Sequence, residues 1–354
     1  MKKAGLGLVA LLTTAGCSAD AGESYEDYER HSTHLFDYFD TVVQVIGYAE
    51  SSDEFYEYVD HVEERYRYFH KLFDYYREYD DFTNVSTINA NAGVEPVEVD
   101  EDLFAIIQFS KEWHDKTEGG MNIAVGNLVN LWTDVMEEAR ENPDTVTLPE
   151  SEELEAAMAH TDITDIELDE EASTVYLADP EMSLDLGAIA KGYAADIVGE
   201  ELKEMGMVSG AILSGGNWKV IGAPLEEDRD FWIVGVQDPD QPYAASDDAV
   251  LERIRISEQS IDSSGDYERY VMIDDLRVHH IIDTETGMPA TYHRGVSVVA
   301  DDAVVTEFMT TELFLLNYEE GRALVDRLDG VEALWVDDNH GIRMSDGMKE
   351  RVHE

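Results

Sequence analysis

Strand-like and helix-like segments alternate along almost the whole chain, and this alternation limits the folds available to it. Residues 39–48 contain an apolar run typical of a strand, and apolar side chains at helical spacing follow from residue 55 to residue 76. Further helices are predicted over 101–116, 151–160, 188–205, 303–316 and 318–328, and further strands over 175–177, 183–185, 211–213, 218–221, 231–236, 251–256, 270–273 and 294–300. Residues 31–354 contain neither a low-complexity linker nor a short repeat, so we expect one compact α/β (α+β) unit of two lobes, with mixed sheets flanked by helices.

The chain is strongly acidic and still rich in apolar residues. Its 354 residues include 79 Asp and Glu against 24 Lys and Arg, a formal net charge of −55, while 44% are apolar. The apolar fraction is high enough for a large core, which excludes a disordered acidic chain. The net charge disfavours nucleic acid and anionic lipid headgroups as partners. Because the acidic residues are spread along the sequence, we interpret the protein as salt-adapted, with an ordinary acidic protein as the alternative.

The first thirty residues have the layout of an export signal followed by a tether. A short basic start precedes a twelve-residue apolar run, too short to span a bilayer, and residues 14–17 stand where a bacterial lipobox would stand. We expect a signal peptide over 1–16, lipidation of Cys17, an acidic tether over 17–30 and the folded domain over 31–354. Cys17 is the only cysteine, so no intramolecular disulfide can form. The expected location is extracytoplasmic, lipid-anchored to the cytoplasmic membrane; a plain signal peptide cleaved elsewhere is the alternative.

The segment over residues 185–192 has the pattern of a strand end, a turn and the start of a helix. It reads Asp-Leu-Gly-Ala-Ile-Ala-Lys-Gly, which places Lys191 about one turn into the predicted helix. Free N–H groups at the positive end of a helix, together with a lysine, can hold a phosphate group. A strand, turn and helix with an unrelated lysine is the structural alternative. Three further segments, 214–217, 263–269 and 279–289, combine turns with hydroxyl groups, cations or imidazoles.

Taken together, these segments resemble the FAD:protein FMN transferase family, the flavin transferases of the thiamine-biosynthesis lipoprotein type. The resemblance covers about residues 39–328 and rests on these strings: Asp185 to Gly192, Gly215-Gly216-Asn217, Trp232 with Val236-Gln237-Asp238-Pro239, Ser264-Gly265-Asp266-Tyr267, and His280 to Pro289. It implies a flavin-transferase, T-fold-like architecture. It also implies a magnesium-dependent enzyme that moves FMN from FAD onto a threonine hydroxyl of a target flavoprotein and releases AMP.

The resemblance also assigns residues to the site. The implied FAD contacts are Gly119, Gly120, Met121, Asp185, Lys191 and His280, and the implied Mg²⁺ ligands are the carbonyl of Ala188 and the side chains of Glu307 and Thr311. Glu307 and Thr311 are four residues apart on a predicted helix and therefore share a face. Glu307 stands where the family normally has Asp, which is one methylene shorter. Lys191 would stabilise charge at the phosphorus, and His280 would take the hydroxyl proton, with Asp266 as a less favoured base.

Two other functions stay open at this stage. An FAD pyrophosphatase would use water in place of the threonine and release free FMN. A non-catalytic flavin-binding or solute-binding lipoprotein would leave FAD intact. A zinc enzyme built on His279, His280 and Asp283 is disfavoured, because adjacent residues of a strand point to opposite faces.

Overall fold

The computed structural model describes residues 25, 27–226, 229–241 and 249–353. The predicted signal peptide, Cys17 and most of the predicted tether lie outside these residues. Within them, none of the helices combines the length and the apolar character needed to cross a membrane. The first strand begins at Glu29, two residues before the predicted start of the folded domain at residue 31.

Helices and strands alternate along the described part of the chain. The helices are α1 (Ser52–Leu72), α2 (Val85–Ala90), α3 (Glu101–Thr117), α4 (Gly126–Glu141), α5 (Ser151–Met158), α6 (Ala190–Glu204), α7 (Ala303–Leu315), α8 (Tyr318–Val325) and α9 (Asp346–Glu350). The strands are β1 (Glu29–Tyr38), β2 (Thr41–Ala49), β3 (Val97–Glu98), β4 (Ile166–Asp169), β5 (Thr174–Leu177), β6 (Gly210–Ser214), β7 (Asn217–Ile221), β8 (Trp232–Gln237), β9 (Val250–Ile256), β10 (Ser260–Gly265), β11 (Tyr270–Ile273), β12 (Leu276–His279), β13 (Gly295–Ala300), β14 (Glu332–Val336) and β15 (Ile342–Met344).

An eight-stranded sheet organises the fold. Its order is β1-β2-β6-β7-β10-β13-β14-β15, and three small sheets pair β3-β5-β4, β8-β9 and β11-β12. Pairings between the described strands are antiparallel. All six residues of β13 are buried, which requires cover on both faces of the sheet. One face packs against α1, α6 and α7, and the other against β8 and β9. The predicted α/β (α+β) class, sheets flanked by helices, is confirmed.

Helix α7 is buried on every side and lies between α6 and strands β10 and β13. Of its thirteen residues, only Thr311 is not buried. Gly192 of α6 permits the close approach of the two helices, because a Cβ atom there would lie 2.3 Å from the carbonyl oxygen of Ala303. Asp196 of α6 accepts hydrogen bonds from the Ala303 and Val304 N–H groups, both at 2.8 Å. These bonds satisfy the first free N–H groups of α7 and fix its start against α6.

The apolar stripe of α1 forms core, as the sequence predicts. The helix is capped by Ser51, whose side chain accepts from Glu54 N. The stripe is buried from Phe55 to Phe73. Tyr76 is the exception: it lies beyond the end of α1, and its side chain is 63% exposed.

Several segment predictions need correction. The stretch 183–185 is not a strand, although Asp185 N donates to Ile123 O at 2.8 Å. Helix α6 begins at Ala190, two residues after the predicted start, and β12 ends at His279, so His280 lies outside the strand.

Strands β1 and β10 and helix α4 were not predicted. Strand β10 is mostly polar, so it lacks the apolar run that identifies a strand. Helix α4 begins at Gly126, and its N-cap residue, Val125, has no side chain that can cap it, so the helix has no start signal.

Candidate active site

The centre of the candidate site is an ion pair between the start of α6 and the second turn of α7, two helices that pack together. Lys191, in the first turn of α6, places its Nζ in direct contact with Oε1 of Glu307 from α7. The other carboxylate oxygen of Glu307, Oε2, accepts from Gly192 N at 2.6 Å. Glu307 is 3% exposed, so this pairing is made away from water. The carboxylate is therefore held by one N–H group in the first turn of α6, that of Gly192, as well as by an ammonium group.

Asp262 of β10 adds a second buried carboxylate to this pair. It is 4% exposed, and the Thr310 hydroxyl of α7 lies 3.0 Å from its Oδ2. Burial raises the pKa of Asp262 and of Glu307, while the charge of Lys191 opposes the rise in both. For Lys191, burial lowers the pKa, but Glu307 and then Asp262 raise it above its usual value. Lys191 therefore stays charged at neutral pH, facing two carboxylates.

Of the three residues that the resemblance implies as metal ligands, Ala188 lies just before α6, and Glu307 and Thr311 lie one turn apart on α7. Ala188 is half-buried and lies one turn before Gly192, whose N–H is directed to Glu307. Thr311 is half-buried and lies one turn after Glu307 on α7. Among the described residues there is no cluster of three or more His, Cys, Asp or Glu side chains with the arrangement of a metal site.

Asp185 lies beside an exposed aromatic surface that the sequence analysis did not assign to the site. Its Oδ1 accepts from Gly187 N at 2.7 Å, which closes the turn that leads into α6. Burial raises the pKa of Asp185, opposed by the Gly187 N–H and by the Tyr75 hydroxyl. The Tyr75 ring packs 3.9 Å, centre to centre, from the exposed ring of Tyr76. An exposed ring next to a hydrogen-bonding carboxylate can stack on a planar ligand.

The turn after α3 contains Gly119, Gly120 and Met121, and it is held from two sides. Glu118 and Gly119 have positive φ values of 64° and 83°. Glu312 of α7 accepts from Gly120 N at 3.2 Å and from Met121 N at 2.5 Å. Glu312 is fully buried and was not predicted as a site residue.

His280 faces the same region as Lys191 and Arg269. Its side chain is exposed, yet desolvation by surrounding protein atoms, and then the electrostatic effect of His279 and the charge of Arg269, lower its pKa. The ring is therefore neutral at pH 7, and the lowered pKa also makes it a weaker base than a free imidazole. Arg269 donates to Asp40 O at 2.8 Å, which fixes its guanidinium group near the β1–β2 turn. Two fixed cations with a neutral imidazole are suited to an anionic ligand.

The remaining predicted residues have structural roles. Asp266, the less favoured base, accepts from Arg294 Nε at 3.0 Å and from Arg277 Nη1 at 2.7 Å, so both guanidinium groups hold it in place. His279 is buried, with Nε2 2.9 Å from Ala290 O. The Nδ2 group of Asn217 donates to Ala303 O at 3.1 Å.

The antiparallel α+β fold and this site define the class: an α+β protein whose buried carboxylates, lysine and exposed aromatic ring are suited to a phosphorylated, aromatic ligand. The particular family follows from comparison with known proteins: residues 39–335 match the ApbE family model, and the chain belongs to that family. The predicted family and the predicted enzyme class, a transferase, are confirmed.

Comparison with individual proteins gives the same family. A curated protein of Klebsiella pneumoniae (strain 342), named FAD:protein FMN transferase, is 32% identical over 289 residues, which cover 79% of this chain and 85% of that protein. One of Treponema pallidum (strain Nichols), with the same name, is 33% identical over 284 residues, covering 77% of this chain and 75% of that protein. The crystal structure of the ApbE protein from Thermotoga maritima superposes with a TM-score of 0.78 at 27% identity, covering 92% of this chain and all of that one.

Proposed function

We propose that this protein transfers FMN from FAD onto a threonine hydroxyl of a target flavoprotein, with release of AMP, in a magnesium-dependent reaction. The observation that carries the proposal is the buried contact between Lys191 and Glu307 at the start of α6. It places a fixed cation at a helix N-terminus, where a pyrophosphate is favoured. The names of the curated relatives support the choice of FAD as donor and of a protein as acceptor.

The reaction is a displacement at the phosphorus of the FMN half of FAD. The threonine oxygen forms a bond to this phosphorus, the bond to the bridging oxygen breaks, and AMP leaves with that oxygen. Lys191 would stabilise the negative charge that builds on the phosphoryl oxygens. His280 would accept the proton of the threonine hydroxyl, with bound anionic FAD opposing the lowering of its pKa. The exposed Tyr76 ring would stack on a planar part of FAD.

The residues present fit a magnesium ion. The carbonyl of Ala188 and the side chains of Glu307 and Thr311 offer only hard oxygen atoms, which Mg²⁺ prefers. Two side chains and one carbonyl leave positions for water and phosphate oxygens. Bound Mg²⁺ would neutralise charge on the pyrophosphate. Asp262 would then keep a counter-charge beside Lys191 when Glu307 engages the ion.

Mass spectrometry of the acceptor tests the proposed function directly. The protein is mixed with FAD, Mg²⁺ and a candidate flavoprotein, with the acceptor's threonine replaced by alanine as the control. We expect flavin attached to the acceptor with an equal amount of AMP, and none on the control. Free FMN and AMP with an unmodified acceptor would instead identify a pyrophosphatase. Intact FAD that stays bound would identify a binding protein.

We further propose that the protein is exported and lipid-anchored to the cytoplasmic membrane through Cys17. The support is the sequence alone: a basic start, a short apolar run and the only cysteine of the chain. We expect the full-length protein to partition into the detergent phase of a Triton X-114 separation, and the Cys17→Ser variant to appear in the aqueous phase. Equal partitioning of the two would contradict the anchor.

We also propose that the protein works at high salt. The charge of −55 becomes −57 if residues 1–16 are removed, because 79 acidic residues then face 22 basic ones. Repulsion within this surface, and between it and anionic FAD, falls as the screening length shrinks from about 10 Å at 0.1 M to about 3 Å at 1 M. We expect the transfer rate to rise with KCl and then level off. A flat or falling rate between dilute buffer and 1 M KCl, with folding followed by circular dichroism, would contradict salt adaptation.

A further inference from the structure

Glu312 is a fully buried carboxylate with a specific pair of partners. It lies on α7, and its two oxygens accept from two successive backbone N–H groups, those of Gly120 and Met121. A charged group in a buried helix is costly unless its oxygens are hydrogen-bonded. Glu312 meets this requirement chiefly through the turn after α3, with the Thr117 side chain at the end of α3 as a further partner, so helix and turn depend on each other.

The turn that Glu312 holds has a backbone that needs support. Glu118 has a φ of 64°, which is unfavourable for a residue with a side chain, and Gly119 follows with a φ of 83°. From the α3 side, His114 Nδ1 lies 2.8 Å from Met121 O. A Cβ atom on Gly119 would lie 2.7 Å from the His114 ring. The turn is thus fixed between His114 on one side and Glu312 on the other.

The same helix connects this turn to the charged cluster. Glu312 lies five residues after Glu307 and directly after Thr311 on α7. Two residues beyond the turn, Ile123 O accepts from Asp185 N at 2.8 Å. Gly120 and Met121 are therefore tied both to the helix that carries Glu307 and to the loop that carries Asp185.

We propose that Glu312 is a positioning residue for FAD. Its carboxylate fixes the backbone of Gly120 and Met121 so that the opposite side of the turn is preformed for the dinucleotide; Glu312 does not touch FAD. The inference rests on the proposed function, because it takes FAD as the ligand of this turn. Without the carboxylate, the N–H groups of Gly120 and Met121 lose their acceptors, and the turn is less ordered. FAD binding must then order the turn, and the free-energy cost of this ordering weakens the affinity for FAD.

The test compares Glu312→Gln and Glu312→Ala with Glu320→Gln, an exposed glutamate on α8, as the matched control. FAD affinity is measured by flavin fluorescence without Mg²⁺ or acceptor, well below the unfolding temperature of each variant. We expect Kd and KM to rise about tenfold or more in Glu312→Ala and less in Glu312→Gln, which keeps one acceptor oxygen, with kcat within about threefold of the wild type. The control should match the wild type.

Hydrogen exchange distinguishes the results that would contradict the positioning role of Glu312 from those that would contradict FAD as the ligand. We expect the Gly120 and Met121 amides to exchange at least about tenfold faster in Glu312→Gln, with or without FAD. Unchanged FAD affinity in Glu312→Gln, with faster exchange or a lower unfolding temperature, would overturn the positioning role. Unchanged exchange at both amides would overturn it independently of FAD. A wild-type protein that does not bind FAD at all would instead refute the proposed function.

Discussion

Replacing Lys191 with Met is expected to lower flavin transfer at least about a hundredfold and to destabilise the fold by about 3–5 kcal/mol. The loss of transfer follows from removing the cation beside the transferred phosphoryl group. The loss of stability follows from the two buried carboxylates of Glu307 and Asp262, which are left without their ammonium partner. Transfer is measured as AMP release, and stability as urea unfolding followed by circular dichroism.

Two further variants distinguish these effects. Lys203→Met removes an exposed lysine of α6 that pairs with Glu200 at 2.7 Å, and it should cost only about 0–1 kcal/mol without changing transfer. The double variant Lys191→Met with Glu307→Gln should recover part of the stability, because one buried charge is removed, and none of the transfer. If Lys191→Met retained transfer within about threefold, Lys191 would not be the phosphate cation.

The sequence predicts those elements whose signals are local. Helix α3 is found almost to the residue because Asp100 caps it and its apolar residues repeat at helical spacing. Strand β10 escapes prediction because its polar side chains, Asp262 among them, pack against α7 rather than face solvent. Only the tertiary structure supplies that partner, so no short-range pattern reveals the strand.

The residues of the candidate site also divide into those with a local sequence signal and those placed by long-range contacts. Asp185 and Lys191 belong to one contiguous segment whose turn and helix start are visible in the sequence. Asp262 and Glu312 are brought in by contacts across more than forty residues of chain, to Thr310 and to Gly120. The sequence did contain one indication that Glu312 is buried. Residues 303–315 are apolar nearly all round, and a helix of that kind is buried, so its two glutamates had to find partners inside the protein.

Replacing Glu307 with Gln is expected to have the second large effect: AMP release should fall at least about a hundredfold, while FAD binding stays measurable. Glutamine keeps an oxygen that can accept from Gly192 N, so the start of α6 should hold its shape. It removes the charge that Mg²⁺ would need, and Lys191 retains Asp262 as a counter-charge. Thr311→Val, which removes one hydroxyl from a half-buried position, should act in the same direction.

Calorimetric titration of Mg²⁺ in the presence of FAD gives a readout that does not depend on turnover. We expect weakened Mg²⁺ binding in Glu307→Gln and in Thr311→Val, and wild-type binding in Glu319→Gln, an exposed change on α8. Glu307→Asp supplies the residue normal in the family and should keep part of both Mg²⁺ binding and AMP release, because charge and oxygen atoms are retained. Full Mg²⁺ affinity and full AMP release in both Glu307→Gln and Thr311→Val would place the ion elsewhere and leave Glu307 only as the partner of Lys191.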